Sequence, residues 1–160
     1  MQPGDYVVIA YHDRGLAARA IAWVTRSRWT HAATYLGDGM VGEATRHGYI
    51  VSPLAGYFET ADLAWSTFTA TPEQRATIVT ICRTYADVNV AYGYTDLVAI
   101  GLHRFGIRPP AVRRRLRDQR HLFCSQAIAA STETAGIEIT PADWWTVTPA
   151  DLAHAAGRDD

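Results

Sequence analysis

The fold is decided by the stretch Trp29–Gly37 (WTHAATYLG), which predicts a strand beginning at His31. A second stretch, Leu122–Ile128 (LFCSQAI), predicts a helix that begins at Cys124. A thiol at a helix N-terminus lies at the positive end of the helix dipole, which favours the thiolate. An imidazole on a rigid strand can accept the proton of that thiol and later return it. The two stretches therefore predict the two halves of one active site, with the histidine first in the chain.

The residues on either side of Gly37-Asp38-Gly39 predict a β-hairpin with a three-residue loop. In that register Glu43 lies opposite Ala33, and it is a diagonal neighbour of His31 on the same face, roughly 7–8 Å away at Cα. A glutamate there can accept the imidazole N–H, fix its tautomer and stabilise the imidazolium. A two-residue loop at 38–39 would instead place Glu43 on the opposite face. The candidate role of Glu43 thus depends on the loop.

The other apolar patterns predict strands and helices that alternate in an α+β order. Further strands are expected over 6–10, 49–54 and 63–68, and helices over 15–26, 72–85, 95–105, 124–135 and 150–156. Thr71 and Thr148 each precede a proline, which is typical of a helix N-cap followed by Pro at the first helical position. We therefore expect an antiparallel sheet, built mostly from the first half of the chain and packed against helices.

Length and composition limit the class of protein. The chain has 160 residues, of which 48% are hydrophobic, and this suffices for the core of a single domain over 1–160. All 15 basic residues are arginine, so Schiff-base lysine chemistry and a phosphate-binding loop lysine are excluded. The net charge of −1 favours no particular partner. With two cysteines and no C-x-x-C spacing, neither a disulfide framework nor a metal site is predicted, and Cys82 is expected in the core.

Seven of the arginines fall between Arg104 and Arg120, and we expect a basic surface insertion over 104–121. Such a run is usually a solvated face, but it can also bind an anionic polymer or pair with substrate carboxylates. Because Phe105 is the single aromatic residue near it, the interleaved stacking expected for single-stranded nucleic acid is missing and nucleic-acid binding is not expected. The N-terminus has no signal-peptide pattern, and no apolar run is long enough for a membrane span. We expect a cytoplasmic protein, or one delivered by a phage particle or by non-classical export.

An ordered set of short motifs resembles the circularly permuted branch of the NlpC-type papain-like cysteine peptidase and amidase superfamily, in particular its YiiX-like members. The resemblance covers nearly the whole chain and rests on Gly4-Asp5, Thr30-His31, Val41-Gly42-Glu43-Ala44, 48–54, Tyr92-Gly93-Tyr94, Phe123-Cys124-Ser125 and 148–152. It implies a permuted papain-like fold in which Cys124 is the nucleophile, His31 the base and Glu43 the residue that orients it. It also implies that Tyr92, and Ser125 beside the nucleophile, contribute to oxyanion or substrate binding.

The function implied by the resemblance is hydrolysis of an amide through an acyl-enzyme, in peptidoglycan stem peptides or a related peptide, with no cofactor. One alternative is a lipid or thioester acyl hydrolase or acyltransferase, because acyltransferases similar to the lecithin–retinol type share the permuted fold. Another is a non-catalytic binding module with a vestigial site. Among the site residues, His47 is the alternative to Glu43 at the third position. A zinc site from His12, His31 and His47 is a further alternative, which no tight spacing supports.

Overall fold

A five-stranded antiparallel sheet is the central element of the structure. The structure is a computed structural model that describes residues 1–66, 68–92 and 121–158, together with Gly106, Pro110 and Arg114, and of Tyr92 only the backbone. The strands of the sheet are β1 (Tyr6–Tyr11), β2 (His31–Gly37), β3 (Met40–Thr45), β4 (Gly48–Pro53) and β5 (Ala61–Trp65). They lie side by side in the order β4-β3-β2-β1-β5. The helices are α1 (Leu16–Thr25), α2 (Pro72–Asp87), α3 (Cys124–Thr134) and α4 (Pro149–Ala155). The predicted α+β class is confirmed.

Strand β1, which lies between β2 and β5, is apolar on both faces because both faces are covered. Val7 and Ile9 pack into a cluster with Ala33 and Val41 of the neighbouring strands. On the other face, Val8 packs against residues of α3 and α4. The sequence of a strand that is covered on both sides is a continuous apolar run, and the sequence of β1, YVVIAY, has this pattern.

Helix α3 lies against the sheet and is the most deeply buried helix of the described part of the chain. Nine consecutive residues, Cys124–Thr132, are buried, and most of them are small. Small side chains let the helix backbone approach β2 and α2 closely, so the helix is fixed on several sides. Its end is also predicted by the sequence, since Gly136 has a φ of 75° just beyond the helix.

The predicted helix caps are confirmed. The Thr71 hydroxyl accepts a hydrogen bond from the Gln74 N–H at 3.2 Å, and the Gln74 side chain accepts one from the Thr71 N–H at 3.0 Å. Thr148 and Asp151 make the same reciprocal pair at the start of α4. These two capping boxes provide hydrogen-bond partners for backbone N–H groups that the start of a helix otherwise leaves without partners.

The prediction of a three-residue hairpin loop is wrong, although the register it was used to derive is correct. Strand β2 continues to Gly37, which pairs with Met40, so the loop is the two-residue turn Asp38-Gly39. Both turn residues have positive φ, 52° and 71°, as a type I′ turn requires. A bulge at Leu36 then shifts the pairing by one residue. From the Tyr35–Val41 pair away from the turn, the register is therefore the predicted one, and Glu43 stays on the face of His31.

Two short strands, β6 (Ala91–Tyr92) and β7 (His121–Leu122), pair in parallel just before α3. The predicted helix over 95–105 lies outside the described residues. Of the predicted basic insertion over 104–121, only the isolated positions named above and His121 are described. The insertion and the single domain over 1–160 stay predictions.

Candidate active site

The carboxylate of Glu43 binds the imidazole of His31. The distance from Glu43 Oε2 to His31 Nε2 is 2.6 Å, and both residues are buried. His31 is the first residue of β2, where its backbone pairs with Ile9 of β1. Glu43 lies on β3, where it pairs with Ile50 of β4. The contact therefore follows from the hairpin register, as the sequence predicts.

Two hydroxyl groups hold the Glu43 carboxylate in place. The Ser52 hydroxyl donates a hydrogen bond to Oε1, and the Tyr57 hydroxyl donates one to Oε2 at 2.5 Å. Ser52 lies on β4, and Tyr57 ends the 3-10 turn Leu54–Tyr57 that follows it. Burial raises the pKa of Glu43, but the hydrogen bonds from His31, Ser52 and Tyr57 and the charge of His31 outweigh burial and lower it to about 2. The carboxylate is thus ionised at neutral pH, and Nε2 of His31 carries the hydrogen of their bond.

Cys124 is the second partner of the imidazole. Burial lowers the pKa of His31, but the charge of Cys124 in its thiolate form and a side-chain hydrogen bond with Cys124 both raise it. The hydrogen bond with Glu43 adds to these effects, and the pKa of His31 lies well above its usual value. Because Glu43 occupies Nε2, the nitrogen left to exchange a proton with the thiol is Nδ1. The structure thus brings together the three residues predicted from sequence, in the order Cys124, His31, Glu43.

Cys124 is the first residue of α3, and the preceding residue, Phe123, makes no side-chain cap hydrogen bond. The Gln126 side chain instead accepts a hydrogen bond from the Phe123 N–H at 2.9 Å, which is the reverse half of a capping box. The N–H groups of the first helical turn have no partner within the helix. They form a positively polarised end next to the thiol, suited to binding a developing oxyanion.

The predicted contribution of Ser125 to oxyanion or substrate binding stays a prediction, and the structure shows what its side chain contacts. The Ser125 hydroxyl is buried and donates a hydrogen bond to the Val147 carbonyl at 2.6 Å. Gln126 similarly donates to the Trp145 carbonyl at 2.8 Å. These side chains fix the first turn of α3 to the segment before α4, so they hold Cys124 in position.

The structure also shows where the other residues singled out from the sequence lie. His47 lies exposed in the turn between β3 and β4 and accepts a hydrogen bond from Arg46, whereas Glu43 binds the imidazole of His31. Cys82 is fully buried in the core on α2, as predicted. The Tyr92 backbone pairs with Leu122, two residues before the thiol, while its side chain lies outside the described atoms. Among the described residues, no group of three or more His, Cys, Asp or Glu side chains is arranged to hold a metal ion.

Two aromatic rings next to His31 were not predicted from sequence. The Tyr11 ring stacks on the imidazole with centroids 6.1 Å apart, and the Tyr57 ring lies 6.4 Å away. Tyr11 and Tyr57 also contact each other, at 6.1 Å. Burial, and then the negative charge of Glu43, raise the pKa of Tyr57, so its hydroxyl stays a donor. The sequence did contain a signal for Tyr11. Side chains alternate along β1, so Tyr11 lies on the same face of the sheet as Ile9, and Ile9 pairs with His31 on that face.

No protein-family model and no curated protein matches the chain. None of the helices that the structure describes is long and apolar enough to cross a bilayer. Conclusions about activity therefore depend on the chemistry of the site itself.

Proposed function

We propose that this protein is a thiol hydrolase in which Cys124 is the nucleophile, His31 the acid and base, and Glu43 the residue that orients the imidazole. The observation that supports the proposal most is the position of His31. Its Nε2 binds an ionised carboxylate at 2.6 Å, and its pKa is raised by the Cys124 side chain. A nucleophile, a base and a third group that orients the base are the arrangement of nucleophilic catalysis.

The reaction proceeds through an acyl-enzyme. The Cys124 thiolate attacks the carbonyl carbon of an amide, and the N–H groups at the start of α3 stabilise the oxyanion. As the C–N bond breaks, the imidazolium of His31 gives its proton to the leaving amine. The neutral imidazole then takes a proton from water, whose oxygen attacks the thioester carbonyl. The C–S bond breaks, the carboxylic acid is released, and the thiolate–imidazolium pair is restored. Throughout, Glu43 stabilises the imidazolium.

The fold we infer is the permuted papain-like fold of the NlpC type. The antiparallel sheet, with the histidine and the glutamate on neighbouring strands before a helix that begins at the cysteine, supports this inference. The substrate class follows from that resemblance alone. It points to an amide in peptidoglycan stem peptides or a related peptide.

The test is digestion of purified muropeptides, followed by mass spectrometry of the products. The protein should release peptide fragments, and Cys124→Ala should lower the rate by about 10³-fold or more, because the nucleophile is lost. The matched control is Cys82→Ala, which removes the other thiol from the core and should keep the activity of the fraction that folds. Equal product from the wild type and Cys124→Ala, with Cys82→Ala no different, would contradict the proposal.

A further inference from the structure

A basic cavity of about 460 Å³ lies beside the candidate active site, at the end of β1. Its charged lining consists of His12 and Arg14 from the segment between β1 and α1, Arg19 of α1, Arg28 from the segment before β2, and Asp62 of β5. These residues come from four separate parts of the chain, which the sheet and α1 bring together. None of its described lining residues belongs to the basic stretch 104–120.

The cavity adjoins the catalytic candidates through a shared residue. Tyr11 lines it, and the Tyr11 ring stacks on the imidazole of His31 with centroids 6.1 Å apart. A substrate whose scissile carbonyl lies at Cys124 can therefore extend past His31 and the Tyr11 ring into this cavity.

The charges in the lining are unbalanced. Asp62 is the single carboxylate among the described lining residues, against three guanidinium groups. It already binds Arg28 through Oδ2 and His12 through Oδ1, the latter at 3.1 Å. Within the described part of the chain, the recorded ion pairs include neither Arg14 nor Arg19. The guanidinium groups of Arg14 and Arg19 therefore line the cavity without an ion pair to its single carboxylate, Asp62.

We propose that this cavity is an anion subsite, in which Arg14 and Arg19 bind a carboxylate or phosphate group of the substrate next to the bond that Cys124 attacks. The proposal rests on the proposed function and adds a substrate class to it. Guanidinium groups bind carboxylates and phosphates with paired N–H donors, so both kinds of anion share the required chemistry. Asp62 keeps Arg28 and His12 in position, which leaves the other two arginines for the ligand.

The test measures the rate at which matched reagents alkylate Cys124, so that it does not depend on knowing the natural substrate. The reagents are iodoacetyl-glutamate amide and its neutral partner iodoacetyl-glutamine amide, and iodoacetyl-phosphoserine amide with its partner iodoacetyl-serine amide. Peptide mapping by mass spectrometry separates Cys124 from the buried Cys82. The wild type should react with an anionic reagent about five- to ten-fold faster than with its neutral partner, because charged hydrogen bonds hold the reagent beside the thiol. The pair with the larger ratio identifies the carboxylate or the phosphate as the preferred group.

The decisive variant is the double substitution Arg14→Gln/Arg19→Gln, in which both changed residues are exposed. It should reduce the ratio to near one and leave the rates of the neutral reagents unchanged. The matched control is Arg83→Gln, an exposed arginine on α2, which should keep the ratio. Equal rates within both pairs in the wild type, or a preference that survives the double substitution, would overturn the subsite while leaving the active site intact. If His31→Gln leaves the labelling of Cys124 by the neutral reagents unchanged at every pH, the proposed function fails, and the subsite with it.

Discussion

At the scale of single residues, His31 holds the site together because it binds the Glu43 carboxylate through Nε2 and also interacts with the Cys124 side chain. Glu43 binds Nε2 at 2.6 Å and is itself held by Ser52 and Tyr57. A carboxylate fixed by two hydroxyls cannot turn away from the ring without losing charged hydrogen bonds, which are stronger than neutral ones. The orientation of the imidazole is thus fixed before any substrate binds.

The first prediction concerns the pKa of His31. In the wild type this pKa should lie well above the usual value of 6.5, and Cys124→Ala should lower it, because the charge and the hydrogen bond of the Cys124 side chain both raise it. The measurement is an NMR titration of the imidazole resonances. Cys82→Ala, which removes a thiol far along the chain from Cys124, is the control and should leave the His31 titration unchanged. The same His31 pKa in the wild type and Cys124→Ala would contradict the contact.

The three central residues were predictable from sequence, whereas the residues that support them were not. His31 and Glu43 belong to one hairpin, so alternation and register relate them. Cys124 was indicated by its place at a helix start. Ser52, Tyr57 and Tyr11 come from β4, a 3-10 turn and the end of β1, and their convergence depends on the complete sheet. The hydrogen bond of the Ser125 hydroxyl could not be predicted, because its acceptor, the Val147 carbonyl, lies 22 positions away in the chain.

At the scale of elements, the β2–β3 hairpin determines on which face Glu43 lies. A two-residue turn without a bulge would have moved Glu43 to the other face. The bulge at Leu36 adds one residue to β2 and compensates for the tighter turn. Sequence reasoning reached the correct face through a wrong loop, because GDG is compatible with both loop lengths and nothing local reveals the bulge.

The second prediction tests the turn. Gly39 has a φ of 71°, and a Cβ added there would meet no atom within 4 Å, so Gly39→Ala changes only the backbone preference. We expect it to lower the free energy of unfolding by about 1 kcal/mol, measured by urea denaturation. The control is Gly56→Ala in the 3-10 turn, where space is equally open and φ is not positive; it should be neutral or slightly stabilising. Equal effects of the two substitutions would contradict the type I′ turn.

At the scale of the whole molecule, the β2–β3 hairpin and the start of α3, distant in sequence, meet in a largely buried site. Cys124, His31 and Glu43 are 2%, 8% and 4% exposed. Burial of charged groups is unfavourable unless they are paired, and here each has a partner. In such surroundings electrostatic interactions are stronger than in water, so the pairing contributes to stability as well as to reactivity.

The third prediction is the dependence of stability on pH. The pKa of Glu43 is lowered from 4.5 to about 2 in the folded protein, so its contribution to stability is complete above about pH 4.5 and is lost as the pH falls towards 2. The difference in the free energy of unfolding between the wild type and Glu43→Gln should therefore shrink across that range. Urea denaturation followed by tryptophan fluorescence measures it, with Glu133→Gln, an exposed position on α3, as the control. A difference that stays constant from pH 7 to pH 3 would contradict the buried, ionised carboxylate.

The measurement that tests the central claim most directly is the rate of Cys124 alkylation by iodoacetamide as a function of pH, in the wild type and in His31→Gln. If the imidazolium of His31 stabilises the thiolate, the wild type should react at pH values of about 5–6, while His31→Gln should react rapidly only as the pH approaches about 8.5, the range of an ordinary thiol. At pH 6 the variant should be slower by about ten-fold or more. Cys82, followed in the same peptide maps, serves as the internal control. A wild-type rate that rises only near pH 8.5 and is the same in His31→Gln would contradict a charged pair between Cys124 and His31.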